Sequence, residues 1–294
     1  MRLVAGFLAL PILLAAAPQE KVKLEWKWKK GETLRYEMTQ SSTTPTGAGE
    51  MKQEQLFGMT MAVEEVGGDG AGSLKVTYDR VKILMSGMME TDYDSDRDKE
   101  PPTEGTGKLM SGFLGESVTM KMSTRGEVLE VKGFDALIEK VAKSAPEGQG
   151  DMMQQMMKQA YSDENMASMM QQGYTVLPKD PVAVGDSWES QGTFPMPMMG
   201  KMKVTTKCTL KEIRDGGKEA VIAQANKIEV DPEAENPMQG VLEVKDAAGT
   251  YEVIWSLERG AMTSMKGDMK MVMSAGGQEI KTTNTTEMKW APKK

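Results

Sequence analysis

The feature that most constrains this chain is a period of two, held over long runs and repeated in the same order in both halves. From Met51 the odd positions read Met51, Gln53, Gln55, Phe57, Met59, Met61 and Val63, while Lys52, Glu54 and Glu64 take the other parity. Successive side chains of a strand point to opposite faces, so this run predicts a half-buried β-strand with one wet face. Met202, Val204, Thr206, Cys208 and Leu210 alternate with Lys201, Lys203, Lys207 and Lys211 in the same way.

Four further matches are collinear. Gly31-Glu32-Thr33-Leu34 answers to Gly185-Asp186-Ser187-Trp188. Val63-Glu64-Glu65-Val66 answers to Leu210-Lys211-Glu212-Ile213 and, at the same spacing, Arg80-Val81-Lys82-Ile83 to Lys227-Ile228-Glu229-Val230. MSTRGEVLEVKG (122–133) answers to SLERGAMTSMKG (256–267). Matches in the same order imply an internal repeat, with halves at about 22–133 and 180–290 inside one domain spanning 18–294. GGDGAG (67–72), RDGGKE (214–219), Arg125-Gly126 and Arg259-Gly260 supply the hairpin turns. Gly276-Gly277 turns a last hairpin, with Met269, Met271 and Met273 on one arm and Ile280, Thr282, Asn284, Thr286, Met288 and Trp290 on the other. Trp26 and Trp28 alternate with Lys27 and Lys29 ahead of it all.

Helix is expected only between the halves, over 134–172. Phe134, Leu137, Ile138, Val141 and Ala142 fall at the spacing of an amphipathic helix that can cover a sheet. After SAPEGQG, the stretch 151–173 is rich in helix formers and carries Met152, Met153, Met156, Met157 and Ala160 as one stripe, with Met166, Met169 and Met170 as a second. ETDYDSDRDKEPPTEGTG (90–107) has almost no apolar content and reads as an exposed loop.

Arg2, the apolar run Leu3–Leu14 and Ala15-Ala16-Ala17 form a signal peptide over 1–17, so the chain is expected in an exported compartment. That run is shorter than the roughly 20 residues of a membrane span, and no transmembrane segment follows. Cys208 is the sole cysteine, so no internal disulfide can form and the fold must rest on its core. A net charge of −7 argues against nucleic acid. The chain has no histidine, which removes Ser-His-Asp chemistry, an imidazole base and an ordinary zinc site.

GDSW (185–188) resembles the serine block of the GDSL-type esterases, but without a histidine Ser187 has no activating base. The better reading is a turn followed by a strand start, as at Gly31. Cys208 reads as a small buried hydrophobe. Asp92, Asp94, Asp96 and Asp98 imitate a calcium loop, yet its sixth position is Arg97 where glycine is needed and its twelfth is Thr103. With 29 methionines against 5 phenylalanines, apolar contact depends on an adaptable side chain. Three uses compete: core packing, a plastic surface for acyl chains or a hydrophobic peptide, and Cu(I) held by thioethers.

KKGETLRYEM (29–38), VTYDRVKI (76–83), STRGEVLEVKG (123–133) and PVAVGDSWES (181–190) together resemble a family of secreted bacterial proteins of unknown function. More remotely, long antiparallel strands with Met-rich helices between them resemble periplasmic lipoprotein carriers and related lipid-binding half-barrels, a likeness of architecture only. The expected fold is mainly β: a long curved antiparallel sheet or incomplete barrel of two related halves, with helices on its concave face. The expected function is non-enzymatic binding of a hydrophobic ligand, a lipid or a lipidated or peptide partner, at Phe57, Met59, Met61, Met152, Met153, Met156, Met157, Met169 and Met170. No catalytic residue, metal or cofactor is assigned, and the alternative is an envelope interaction module with a filled core.

Overall fold

The computed structural model describes residues 20–291, apart from 47–48, 88–89, 104, 144–161, 197–199 and 234–241. The alternating runs are strands. In chain order they are β1 (Thr33–Thr46), β2 (Gly49–Val66), β3 (Gly72–Ser86), β4 (Thr91–Asp94), β5 (Ser117–Met122) and β6 (Val128–Lys132) in the first half. The second half has β7 (Ser187–Met196), β8 (Gly200–Arg214), β9 (Glu219–Val230), β10 (Leu242–Ser256), β11 (Ala261–Ala275) and β12 (Gln278–Trp290). Helix α1 (Gly105–Ser111) precedes β5, and α2 (Phe134–Lys143) and α3 (Asp163–Gln171) lie between the halves. All strands join one antiparallel, open sheet in the order β6-β5-β3-β2-β1-β12-β11-β10-β9-β8-β7, with β4 also paired to β3.

The two halves begin their sheets with the same hydrogen bonds. Gly31 N donates to Val63 O (2.8 Å) and Val63 N to Glu32 O (2.9 Å); Gly185 N donates to Leu210 O (2.8 Å) and Leu210 N to Asp186 O (3.0 Å). Gly31 and Gly185 have φ of 82° and 94°, a region that glycine enters without the Cβ penalty. A register shift follows in each: between Val63 and Glu65 against β3, and between Leu210 and Glu212 against β9.

The inward parity forms the core. Leu34, Tyr36, Met61, Leu74, Val76, Met120, Met122, Leu210, Ile222, Val253 and Met262 are buried, whereas Lys52, Lys203, Lys207, Lys266, Lys270 and Lys289 are exposed on the outer face. That outer face is suited to water. One guanidinium is nevertheless buried there beneath half-buried carboxylates: Arg35, 4% exposed, meets Asp79 (2.9 Å) and Glu37 (3.0 Å), and Thr60 donates to Asp79 (2.6 Å). Gly58 makes room for it, since a Cβ there would sit 2.4 Å from the Asp79 carboxylate.

At the end of the sheet, residues 22–28 lie outside the named strands. Trp26 N donates to Thr124 O (2.7 Å), Lys27 N to Gly260 O (3.0 Å), and Val22 bridges Val182. Trp26 stacks on Trp28 (4.7 Å, 6° between planes) and meets Trp255 edge-on (4.9 Å, 86°), which buries large apolar area in a fixed geometry.

The strand order leaves β6 and β7 as the edges of the main path, with the short β4, paired to β3 alone, as a further one. Helix α3 lies against β6 and β7. Gln171 accepts from Val128 N (2.7 Å) and donates to Gly126 O (3.1 Å) and Tyr174 O (3.3 Å). Beyond the helix, Leu177 N donates to Arg125 O (2.8 Å) and the Trp188 indole to Val176 O (2.7 Å). Asp163 caps α2 from outside its own helix, accepting from Phe134 N at 2.8 Å.

The stretch 90–107 departs from the exposed loop expected of it. It contains β4, the start of α1, and a buried Tyr93 packed with Val81, Ile83 and Met85. One aromatic anchor and the ion pairs of Arg80 with Asp94 (3.1 Å) and Asp96 (3.1 Å) order a segment that composition alone marks as solvated.

Gln171→Leu preserves bulk and helix propensity but strands Val128 N–H and two carbonyls. A buried group left unpaired costs about 1–3 kcal/mol, so urea unfolding should show a loss of about 2 kcal/mol. A variant within about 0.5 kcal/mol of the parent would show that the edges are held together by something else.

Candidate functional site

Cross-strand register arranges the inward side chains in rungs. Phe57 lies opposite Met38, Met38 opposite Met288, and Met288 opposite Met265, an apolar rung across β2, β1, β12 and β11. Gln55, Gln40 and Thr286 form the next, and Gln53, Ser42 and Asn284 the one after. From the second half, β10 contributes Tyr251, and β9 contributes Gln224, Asn226 and Ile228.

These rungs face α2 and α3 across a cavity of about 670 Å³. Phe134 and Ile138 of α2, Met166, Met169 and Met170 of α3, and Met110 next to Phe113 line its helical side. Eleven of the described lining residues are methionine, a side chain that adapts its shape to what it touches. No described residue lining the cavity is Asp, Glu, Lys or Arg. Its polar groups are amides and hydroxyls, and burial pushes the Tyr78 phenol up to about 12, so that it stays neutral.

Of the residues singled out from the sequence, Phe57, Met59, Met169 and Met170 line this cavity together. Met61 does not: it lies two residues deeper on the same face, 1% exposed, with its sulfur 3.8 Å from the Tyr174 hydroxyl. Met152, Met153, Met156 and Met157 lie outside the described residues. The amide and hydroxyl rungs were missed by sequence reasoning, although Gln53, Gln55, Asn284 and Thr286 stand on the apolar parity of their strands.

Other sequence candidates take structural places. Ser187 starts β7 with its hydroxyl 2.8 Å from that of Thr209, and the Asp186 carboxylate turns back to accept from Ala183 N (2.9 Å). Cys208 is buried, and desolvation pushes its thiol up to about 12, so it stays protonated and unreactive. In the acidic turn, Arg97 pairs with Asp92 (3.0 Å) and Asp98 (2.7 Å), and its hydrogen bond holds the Asp98 carboxyl at about 2. No cluster of three or more His, Cys, Asp or Glu suited to a metal ion occurs among the described residues.

One aromatic side chain shapes the cavity wall. Tyr251 lies against Gly249 and Gly267: a Cβ on Gly249 would come within 2.9 Å of the Tyr251 ring, and one on Gly267 within 2.5 Å. The two glycines let the phenol lie along the sheet, which leaves the space in front of it open.

The chain belongs to DUF6263, a family of unknown function, whose model matches residues 69–283. No curated protein matches the sequence. Among solved structures, DynF from the dynemicin biosynthesis pathway of Micromonospora chersina aligns over 97% of this chain and 94% of its own, at 8% identity and a TM-score of 0.23. An outer membrane channel from Pseudomonas putida F1 aligns over 90% and 97%, at 7% identity and a TM-score of 0.27. Likenesses this weak bear on neither fold nor function. No helix among the described residues is long and apolar enough to cross a membrane.

Gly249→Ala should drive Tyr251 off the sheet and into the cavity, an overpacking that costs about 1–3 kcal/mol. In a Tyr251→Ala background the same change should cost little, so a double-mutant cycle should give a coupling of about 1 kcal/mol or more. Additive effects would show that Tyr251 does not depend on the glycine floor.

Proposed function

We propose that this member of DUF6263 binds a hydrophobic small molecule of the lipid class, without chemical turnover, in the cavity beneath α2 and α3. The observation that carries the reading is a space of about 670 Å³ walled by apolar, amide and hydroxyl groups, with no charged side chain among the described lining residues. Ligand sites usually span about 300–1,000 Å³ and are mostly apolar with a few polar groups that orient the occupant. Methionine on both the helix and the sheet sides suits flexible chains better than one rigid shape. The groups that could act as nucleophiles are poorly placed for it, since Cys208 stays protonated and the Ser187 hydroxyl pairs with Thr209. Binding is assigned to an exported compartment because Arg2, the apolar run Leu3–Leu14 and the three alanines after it have the pattern of a signal peptide.

Native mass spectrometry of the protein purified from its producing cells tests this. A non-covalent adduct with the mass of a lipid, lost after extraction with organic solvent, is the expected result. A clean apo mass, together with no uptake of a neutral apolar dye, would favour a filled interaction module, and a copper adduct would favour thioether coordination.

A further inference from the structure

We propose that the occupant is an uncharged ester or amide with apolar chains on both sides of its polar link, held at mid-depth by a belt of amides and hydroxyls. The inference rests on the hydrophobic-ligand reading and specifies its chemistry. Below the belt lies the apolar rung Phe57–Met38–Met288–Met265. The belt is two rungs deep, Gln55–Gln40–Thr286 and then Gln53–Ser42–Asn284, and Gln224 and Asn226 continue it on β9. Beyond it the cavity wall is apolar again, with Ile228, Met271, Phe194 and Met196 gathered around a second small core. Along β2 (Phe57, Gln55, Gln53, Met51) and β9 (Ile222, Gln224, Asn226, Ile228) the inward positions therefore read apolar, polar, apolar, while on β11 Met269 stands level with Asn284 and interrupts the belt.

Three occupants can be compared against that sequence. A plain alkyl chain crossing the belt strips water from the side chains of Gln40, Gln53, Gln55 and Asn284, for which no hydrogen-bond partner occurs among the described residues, and returns nothing. A carboxylate or phosphate at the belt is desolvated without a Lys or Arg among the described lining residues to pair with. An ester or amide carbonyl accepts from the glutamine and asparagine amides, and an amide N–H can also donate to them, while its two chains meet the apolar rungs on either side. Gln224 is itself held in place, accepting from Thr175 (2.7 Å) and donating to Asn226 (3.2 Å), which leaves the Asn226 amide nitrogen to meet a ligand acceptor.

The test is displacement of bound N-phenyl-1-naphthylamine from the full chain by three competitors of similar length: hexyl decanoate, heptadecane and palmitate at pH 8. The ester should displace the dye at a concentration about tenfold lower than either of the others. Gln40→Leu/Gln55→Leu should lose the preference for the ester over heptadecane, and the near-isosteric Thr286→Val should weaken it without threatening the fold. Dye binding with equal displacement, or with palmitate the best competitor, overturns the belt inference and leaves the hydrophobic-ligand reading standing. Absence of dye binding overturns the reading beneath it, and the inference with it.

Discussion

The pairing of β1 with β12 is the contact on which the rest of the structure depends. Among the described strands it is the one ladder that joins the first run of strands to the last, and it sets Met38 against Met288 and Gln40 against Thr286. Side chains alternate faces along a strand, so a slip of one residue there would turn every inward group of one half outward. With the observed register, each rung of one half continues into the other. The cavity wall is a product of both halves and belongs to neither alone.

A sheet that curls without closing must deal with the two edges of its main path, and this one does so with side chains and a helix. Gln171 reaches the start of β6, and the Trp188 indole ties β7 to the segment that follows α3. The same helix presents Met166, Met169 and Met170 to the cavity. Edge closure and the cavity wall are therefore coupled through α3, which contributes to both. A closed barrel would satisfy the edge groups but would lose this coupling.

Much of the sheet was legible in the sequence because its signals are strong and local. Alternation over Met51–Val63 and Met202–Leu210 marks β2 and β8, paired glycines mark the last hairpin, and Gly31 and Gly185 mark equivalent strand starts. What escaped depends on long-range contact. Nothing local in 90–107 reveals that Tyr93 is buried against β3 or that Arg80 neutralises the acidic residues beside it. Residues 22–28 alternate like a strand but bury their tryptophans against turns instead of pairing in the sheet. The cavity was half visible: Phe57, Met59, Met169 and Met170 follow from apolar periodicity, while the belt was hidden because Gln53, Gln55 and Asn284 were absorbed into an apolar pattern. Glutamine at an inward position is the signal to look for, since an amide on a core face needs a protein partner, water or a ligand.

The central claim is that an inward, uncharged wall built from both halves receives an apolar ligand. Methionine methyl resonances, followed while hexyl decanoate is titrated into the folded protein, test it most directly because methionines sample both the cavity and the core. Met38, Met59, Met265 and Met288, which line the cavity, should shift together, while the buried Met61, Met120 and Met122, which do not line it, should stay in place. Shifts confined to methionines outside the wall, or none at all, would contradict the account.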